Sequence, residues 1–575
     1  MALRFEPIRK LPPIPTILAI YIAIQAFAIT GGFFPLDDPQ ELFRVKTLDS
    51  WWHIFGVDCY GLFRPVKNLF FALFSAVPSD MTWLCRVMAI AVGCVSLFPV
   101  LALFRRIFRD ERQALFAAAV WMLAPTLVSS VAWLSCVNIQ AMCALGALTI
   151  VLHDKAFDGD SCSPRVVFAA AVTLFLSLVS YESAVVVGPL VVVFDFYLRP
   201  RRFLTKRAIG TYCFYASITL IYLVLREKIG SNSSLNGSFV DATRIDMMFA
   251  SAYFTCQHFC IWLNPFGKMS PFGAYSPGMV STSLLASCWA VVFGLVVLAF
   301  ALRRRCPIIA FGIAFALVSF LPVSNVLGFG NGPYGDYYMG LPSVGLATVT
   351  VFLCKSALAV RGRARNLGFA IAITLIVSRV FAVGEAARWA WLWADGARAC
   401  KAGMAAFPSA FWNYIQYAEI CYETGRFVEM HECRDKLEVQ LGADSEHLVL
   451  IYQYCALEAM NIKRNADLAM QNLDKALQVD KKGVWHRNTR FYRGCVFEDL
   501  LGDDKSAEAE YRAAVEGKWS VDTPAAADRL ARLLAIRGEL DEAESLWVRA
   551  VKLRPDDPDI QHNLLVLKRS KSINH

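Results

Sequence analysis

The sequence predicts an all-α membrane protein, a polytopic bundle of about eleven spans that is followed by an α-solenoid of helical repeats. Hydrophobic residues make up 56% of the 575 residues and charged residues only 18%, which is too apolar for an ordinary soluble enzyme. Apolar runs of roughly 17–22 residues, each long enough to cross about 30 Å of hydrocarbon, recur up to residue 384. The rest of the chain is charged and carries an internal repeat.

These apolar runs place a membrane domain at 1–385, a linker at 386–407 and a repeat domain at 408–575. The first run follows Arg4, Arg9 and Lys10 and fits a signal-anchor helix better than a signal peptide, because no clear small-residue cleavage site follows it. The candidate spans are 14–31, 83–104, 113–129, 132–152, 166–181, 183–198, 209–225, 281–302, 307–325, 341–360 and 367–384.

The basic residues orient the predicted spans. If the N-terminus is cytosolic, all of the basic clusters fall on the cytosolic side, as the positive-inside bias requires. These clusters are 105–112, 199–202, 303–305 and 361–365. The long loop 34–81 then lies outside, and an odd number of spans places the repeats outside too. We therefore expect the repeats in the endoplasmic reticulum lumen or in a bacterial periplasm.

The repeat has a period in the mid-thirties. Gly502 and Gly538 lie 36 residues apart, as do Ala514 and Ala550. A turn glycine with an Ala-x-x-x-Tyr/Trp pattern on the following helix is typical of tetratricopeptide repeats. About four such helix pairs would stack into a short solenoid with a concave surface.

Charge and cysteine content exclude two other classes of function. The formal net charge of +9 comes largely from short loops between spans, so it does not indicate a nucleic-acid partner. The 17 cysteines show no CxxC pairs or metal-ligand spacing and are read as small buried hydrophobic residues. The cysteines therefore indicate no metal centre.

The loop after the first span concentrates the candidate functional residues. It contains the adjacent acids Asp37 and Asp38, a third acid, Asp58, and a basic pair, Arg64 and Lys67. Ionisable groups at a membrane edge are often solvated helix caps or snorkelling side chains. A cluster of them in one long loop favours a functional site.

Several stretches, in this order along the chain, resemble the transmembrane and tetratricopeptide-repeat O-mannosyltransferases, and more broadly the GT-C glycosyltransferases. The stretches are LDDPQELFRV, FGVDCYGLFRPVKNLFFAL, APTLVSSVAWLS, SLVSYESAVVVGPLVVVFDFYL and LPVSNVLGFGNGPYGDYYMGLPSVGLA. The resemblance implies transfer of a sugar, with mannose expected, from a polyprenyl-phosphate donor to a hydroxyl acceptor such as a protein Ser or Thr. Membrane lipids and an acceptor protein held by the repeats are the other implied partners.

The resemblance also implies roles for particular residues. Asp37 or Asp38 would act as the general base, with Asp37 slightly favoured, and a helix-end cap or a surface turn is the alternative. Arg64, with Lys67, would bind the donor phosphate, because arginine binds phosphate oxygens in a bidentate way. Asp58, Glu182, Asp336 and Tyr337 would support the site.

Glu182 has three interpretations. It would orient Arg64, hold a divalent ion, or act only as a helix-turn acid. No cofactor beyond the lipid-linked donor is certain. Asp195 lies beside the cytosolic cluster RPRR, on the wrong side for this chemistry, and is expected to pair with those arginines.

The chain departs from the family pattern at several positions. Ala124-Pro125 replaces His-Pro, Ser129 replaces an acid, and Tyr181 replaces a lysine. These changes leave open a divergent donor or a loss of catalysis. The alternative from another class is a non-catalytic membrane scaffold whose repeats recruit envelope or secretory partners. A transporter of lipid-linked sugars is a third, less favoured because inverted repeats are not found.

Overall fold

The computed structural model describes most of the chain. The described residues are 14–31, 37–46, 48, 50–58, 61–78, 81–158, 162–229, 242–264, 266, 269–273, 275–326, 332–481, 483–517, 519, 523–554 and 557–573, with only the backbone described at 37, 363, 572 and 573. Apart from an isolated bridge at Tyr275, the regular segments among these residues are helices. The predicted all-α class is confirmed for this part of the chain.

The chain forms two compact units. The first comprises residues 1–34 and 55–410, and the second comprises 35–54 and 411–575. The segment 35–54, which we expected to belong to the membrane domain, therefore groups with the C-terminal helices. Within that second unit the Arg554 guanidinium carbon lies 5.5 Å from the centroid of the Phe43 ring.

The first unit is a bundle of helices of very different lengths. Residues 386–407, where we expected a linker, are helical for most of their length. The α-helices of this unit are Ile14–Ala26, Pro65–Ser75, Thr82–Phe108, Glu111–Met122, Ser129–Ala132, Val137–Ala156, Pro164–Leu178, Val187–Leu198, Lys206–Ile229, Arg244–Leu263, Thr282–Leu302, Pro307–Phe320, Pro342–Ala359, Arg365–Trp393 and Gly396–Ala406.

Six segments of the described chain are long and apolar enough to cross a membrane, rather than the eleven or so expected from apolar runs. They are Thr82–Phe108, Leu134–Ala156, Lys206–Ile229, Thr282–Leu302, Pro342–Ala359 and Arg365–Trp393. A seventh would be the pair Glu111–Met122 and Pro125–Ala132, which is bent by 59°. Pro125 lacks an N–H donor and starts a new helical turn, so the helix is interrupted there although the sequence stays apolar.

The remaining predicted spans also coincide with helices, but these are shorter. Ile14–Ala26, Pro164–Leu178, Val187–Leu198 and Pro307–Phe320 contain between 12 and 15 residues. An apolar run counts every hydrophobic residue, including those in the turns at its ends, so it overstates the length of the helix.

Two glycines allow one pair of helices in the bundle to approach closely. Helix Pro307–Phe320 packs on helix Pro342–Ala359. A Cβ added at Gly345 would lie 2.4 Å from the Gly312 carbonyl oxygen, and one added at Gly312 would lie 2.8 Å from the Gly345 carbonyl oxygen. Close backbone contact at small residues is the usual means of helix association inside membranes.

The second unit is an array of short helices in which each packs on the next. Apart from the helix Asp37–Lys46, its α-helices are Phe411–Glu423, Phe427–Leu441, Val449–Asn461, Ala466–Val479, His486–Val496, Asp504–Val515, Thr523–Ile536, Leu540–Leu553 and Pro558–Ile573. The turns inside four successive pairs contain a residue with positive φ, at Gly425, Arg464, Gly502 and Gly538. Glycine adopts this conformation without strain, whereas Arg464 does so at a cost.

The repeated Ala-x-x-x-Tyr/Trp positions are buried in this unit. Ala507 and Tyr511 are both 0% exposed, and their counterparts 36 residues later, Ala543 and Trp547, are 0% and 4% exposed. Tyr511 occupies the space that a side chain at Gly494 would need, because a Cβ there would lie 2.4 Å from the Tyr511 ring. The sequence repeat therefore marks the residues that pack between neighbouring helices.

Candidate functional site

A buried ion pair joins two of the stretches that carry the sequence resemblance. Arg64 precedes helix Pro65–Ser75, where a proline at the first position fixes the helix start. Glu182 opens the 3-10 helix Glu182–Val186. Arg64 Nε donates to Glu182 Oε2 at 2.7 Å, and Arg64 Nη2 donates to Glu182 Oε1. This bidentate pair connects residues that lie 118 positions apart in the sequence.

Asp58 and Lys67 extend the pair into a cluster of four charges, which we call the charge cluster. Asp58 Oδ2 lies 3.3 Å from Lys67 Nζ and 3.5 Å from Arg64 Nη1. The backbone at Leu62 fixes the Asp58 carboxylate, whose Oδ1 accepts a hydrogen bond from the Leu62 N–H at 2.9 Å. The contacts of Asp58 to the two cations are thus longer than those between Arg64 and Glu182.

The charge cluster is buried and electrically balanced. Arg64, Lys67, Asp58 and Glu182 are 5%, 1%, 2% and 2% exposed, and their two positive and two negative formal charges cancel. Burial alone would lower the pKa of Arg64, but Glu182 and Asp58 hold it well above its usual range. Burial alone would raise the pKa of Glu182, but the charge and hydrogen bonds of Arg64 hold it below its usual range. Both side chains are therefore ionised at neutral pH.

Aromatic and backbone contacts hold the cluster in place. The Arg64 guanidinium carbon lies 4.6 Å from the centroid of the Tyr181 ring, a distance suited to a cation–π contact. The Asn138 side-chain amide donates to the Ser180 carbonyl oxygen at 2.6 Å, and the Val66 N–H donates to the Val179 carbonyl oxygen at 3.2 Å. Tyr181, where the family pattern has a lysine, is therefore a packing partner of Arg64.

Asp336 lies in a second buried polar site. The hydrogen bonds described below join it to residues outside the charge cluster. Its carboxylate accepts hydrogen bonds from Ser129 Oγ at 2.7 Å, from Trp389 Nε1 at 2.8 Å and from the Tyr337 N–H at 2.9 Å. Burial raises the pKa of Asp336 to about 7, although these hydrogen bonds oppose the shift. Ser129, which replaces an acid of the family pattern, thus binds a carboxylate instead of supplying one.

Tyr337 packs among aromatic rings. Its ring centroid lies 5.8 Å from that of Trp133 and 4.6 Å from that of Tyr338, both in edge-to-face arrangements. Trp133 also stacks on Trp393 at 5.7 Å. Tyr338 and Glu182 both lie within electrostatic range of Tyr181, which places this aromatic group close to the charge cluster.

The two predicted bases lie in the second unit. Asp37 and Asp38 open the helix Asp37–Lys46, in which Asp38 is 0% exposed and Glu41 pairs with Arg44 at 3.0 Å. The side chain of Asp37 lies outside the described residues. The structure thus brings together Arg64, Lys67, Asp58 and Glu182, while the role of Asp37 and Asp38 stays a prediction.

The sequence-based reading overlooked Trp389, which lies in helix Arg365–Trp393 and donates to Asp336 from 53 residues away. No local pattern marks such a distant donor.

The expected partner of Asp195 is confirmed, since Arg202 Nε donates to its Oδ1 at 2.8 Å. In the described part of the chain, no group of three His, Cys, Asp or Glu side chains is arranged to hold a metal ion.

Comparison with known proteins does not assign the chain to a family. No protein-family model matches it, and no curated protein matches it by sequence. Similar solved structures include the oligosaccharyltransferase of Archaeoglobus fulgidus with a tethered acceptor peptide (12% identity, TM-score 0.36, 66% of this chain and 55% of that chain covered). The same enzyme in the apo form gives 12% identity and a TM-score of 0.37, over 65% of this chain and 56% of that chain.

A third structure shows the archaeal enzyme with an inhibitory peptide and a dolichol-phosphate, at 10% identity and a TM-score of 0.35, with 86% of this chain and 72% of that chain covered. The chain therefore spans a little over half the length of the first two structures that it resembles. TM-scores of this size do not establish a shared fold, so these structures leave the function of the chain open.

Proposed function

We propose that the chain is a membrane glycosyltransferase of the GT-C type. It transfers a sugar, with mannose expected, from a polyprenyl-phosphate donor to a hydroxyl acceptor on the non-cytosolic side, with protein Ser or Thr expected. The observation that carries the proposal is the bidentate contact between Arg64 and Glu182. It joins two separate motifs of the family resemblance in one buried site.

In this proposal the phosphate binds at the longest contacts of the charge cluster, those that Asp58 makes with Arg64 and Lys67. Glu182 engages Nε and Nη2 of Arg64 and thereby orients the guanidinium. The phosphate oxygens replace Asp58 as partners of Arg64 Nη1 and Lys67 Nζ, which lie 3.5 and 3.3 Å from its carboxylate. Charge-assisted hydrogen bonds to both cations stabilise the departing polyprenyl phosphate.

Asp37 or Asp38 serves as the general base. The acceptor oxygen forms a bond to the anomeric carbon of the sugar as the bond from that carbon to the phosphate oxygen breaks. The hydroxyl proton passes to the aspartate carboxylate, and the polyprenyl phosphate leaves with the bonding electron pair. The helix start at Asp37 supplies two adjacent acids for this role.

The helix pairs of the second unit are proposed to be tetratricopeptide repeats that hold the acceptor polypeptide. Positive-φ turn residues at regular spacing and the buried Ala507/Tyr511 and Ala543/Trp547 pairs support this proposal. Helical-repeat arrays commonly bind extended segments. We place the N-terminus in the cytosol and the repeats in the lumen or periplasm, on the distribution of basic clusters.

The test uses purified full-length protein with polyprenyl-phosphate sugars and a Ser/Thr-containing peptide. We expect the double variant Asp37→Asn/Asp38→Asn, and the single variant that removes the base, to lose transfer by 100-fold or more, since a positioned base contributes about 10²–10⁴-fold. Glu385→Gln, which alters an acid of the first unit outside the proposed site, is the matched control. Full transfer by the double variant would refute the assignment of the base.

A non-catalytic membrane scaffold is the second candidate. One observation favours it: the charges of Arg64, Lys67, Asp58 and Glu182 cancel within the chain, as in a buried structural ion pair. If wild-type protein shows no transfer with any donor but retains a bound partner protein, the scaffold function is the better description.

A further inference from the structure

One face of the first helix of the C-terminal array carries two buried acceptor atoms without a hydrogen-bond partner. Gln416, Glu419 and Glu423 lie at i, i+3 and i+7 of helix Phe411–Glu423, so they share one side of it. We call these three residues the acceptor stripe. Gln416 is 2% exposed, and its Oε1 has no hydrogen-bond partner. Glu419 Oε2 is likewise buried without a partner.

Two tyrosines flank the acceptor stripe. The Tyr454 hydroxyl forms a hydrogen bond with the Glu419 carboxylate, and the rings of Tyr422 and Tyr454 stack with their centroids 6.1 Å apart. Asn461 Nδ2 fixes the Tyr422 hydroxyl by donating to it at 3.0 Å. Aromatic faces beside acidic groups form a favourable environment for a cation.

No basic side chain of the described residues faces Glu419. Among the described residues, the groups in electrostatic contact with it are Glu423 and Tyr454, and neither is basic. Burial, followed by the charge of Glu423, raises the pKa of Glu419 to about 7. Arg426, the next basic residue along the chain, contacts Glu429 at 3.7 Å and the Tyr417 ring instead. Unsatisfied buried acceptors and like charges at i and i+4 both cost stability.

We propose that the acceptor stripe binds a basic side chain of an extended polypeptide partner. Three acceptors on one helix face match the three donors of a lysine ammonium group. Glu423 is exposed at the end of the helix, whereas Gln416 is buried, so the side chain enters past Glu423. This inference deepens the partner-binding role that we propose for the repeats and does not depend on catalysis.

The test measures binding of a peptide to the full-length protein in detergent, with no sugar donor present. The probe is a fluorescent 12-residue Gly/Ser peptide with three lysines, compared with the same peptide carrying three acetyl-lysines, by fluorescence anisotropy at 0.15 M salt. We expect the lysine peptide to bind at least tenfold more tightly than the acetylated one. Equal affinity for the two peptides would overturn the proposal, whatever the transfer activity.

Three variants test whether the preference for the lysine peptide arises at the acceptor stripe. Glu419→Gln should remove the preference for the lysine peptide, whereas Glu432→Gln, which removes an exposed charge from helix Phe427–Leu441, should retain it. Glu423→Lys places an ammonium group one turn from Glu419 within the chain. We expect it to abolish peptide binding and to raise the midpoint of thermal unfolding. An unchanged lysine preference in Glu419→Gln, or in Glu423→Lys, would contradict the proposal.

Discussion

The contact between Arg64 and Glu182 gives the sharpest test of the first unit. In Glu182→Gln the shape of the side chain is kept and its charge is lost. Arg64 then remains buried at 5% exposure, and Asp58, at 3.5 Å, is the remaining acid of the charge cluster that faces it. Removing one partner of a buried pair costs about 3–5 kcal/mol, and the remaining contact to Asp58 suggests about 3 kcal/mol. This corresponds to roughly a 100-fold change in the unfolding equilibrium.

The assay is the denaturant midpoint of the purified full-length protein in micelles, with Glu111→Gln as the matched control. Glu111 also pairs with an arginine, since Arg105 Nη2 lies 2.6 Å from its Oε1, but the two side chains are 46% and 53% exposed. An exposed pair of this kind contributes about 0–1 kcal/mol. If Glu182→Gln is no less stable than Glu111→Gln, the burial argument for the charge cluster is refuted.

The pH dependence provides an independent check on the same variant. The pKa of Glu182 is depressed in the folded protein, so its stabilising contribution is present above the ordinary glutamate pKa of about 4.3. That contribution is lost as the pH falls through the depressed value. The stability difference between wild type and Glu182→Gln should therefore be constant at neutral pH and shrink in acid. A difference that grows in acid would contradict this assignment.

Three further outcomes follow from the packing and hydrogen bonds. Because the pKa of Asp336 is raised to about 7, its contribution to stability should fall as the pH rises from about 4 to 7; Asp336→Asn should lack this slope when denaturant midpoints are compared. Ser129→Ala removes a 2.7 Å donor to Asp336 and should cost about 1–3 kcal/mol in the same assay, whereas an unchanged midpoint would argue against that contact. Gly494→Ala forces a Cβ within 2.4 Å of the Tyr511 ring and should lower thermal stability by about 1–3 kcal/mol. Gly384→Ala, where a Cβ meets nothing within 4 Å, should not destabilise the protein.

Hydropathy predicted where most helices lie but not how long they are. Each of the predicted spans overlaps a helix, because a long apolar run in this chain does adopt helical structure. The break at Pro125 and the short helix Val187–Leu198 reduce the number that reach membrane-spanning length. The helix Arg244–Leu263 matches none of the predicted spans, because its polar residues interrupt the apolar pattern.

The candidate site was predicted in part. Arg64, Asp58 and Lys67 lie within ten residues of one another, and the suggestion that Glu182 orients Arg64 matches the observed contact. The hydrogen-bond partners of Asp336 could not be predicted from the sequence, because Trp389 and Ser129 belong to distant helices that only the folded chain brings together. Burial, which sets the charge balance and the pKa values, is a property of the tertiary packing.

The proposed function depends most directly on release of the lipid carrier. Purified full-length protein is incubated with polyprenyl-phosphate mannose and a Ser/Thr peptide, and free polyprenyl phosphate and mannosylated peptide are quantified together by mass spectrometry. We expect equal amounts of the two products from wild type, and a loss of both in Lys67→Gln, which removes a cation from the proposed phosphate site. No release of polyprenyl phosphate by wild type above the level of Lys67→Gln, with mannose or any other sugar on the donor, would contradict the glycosyltransferase assignment.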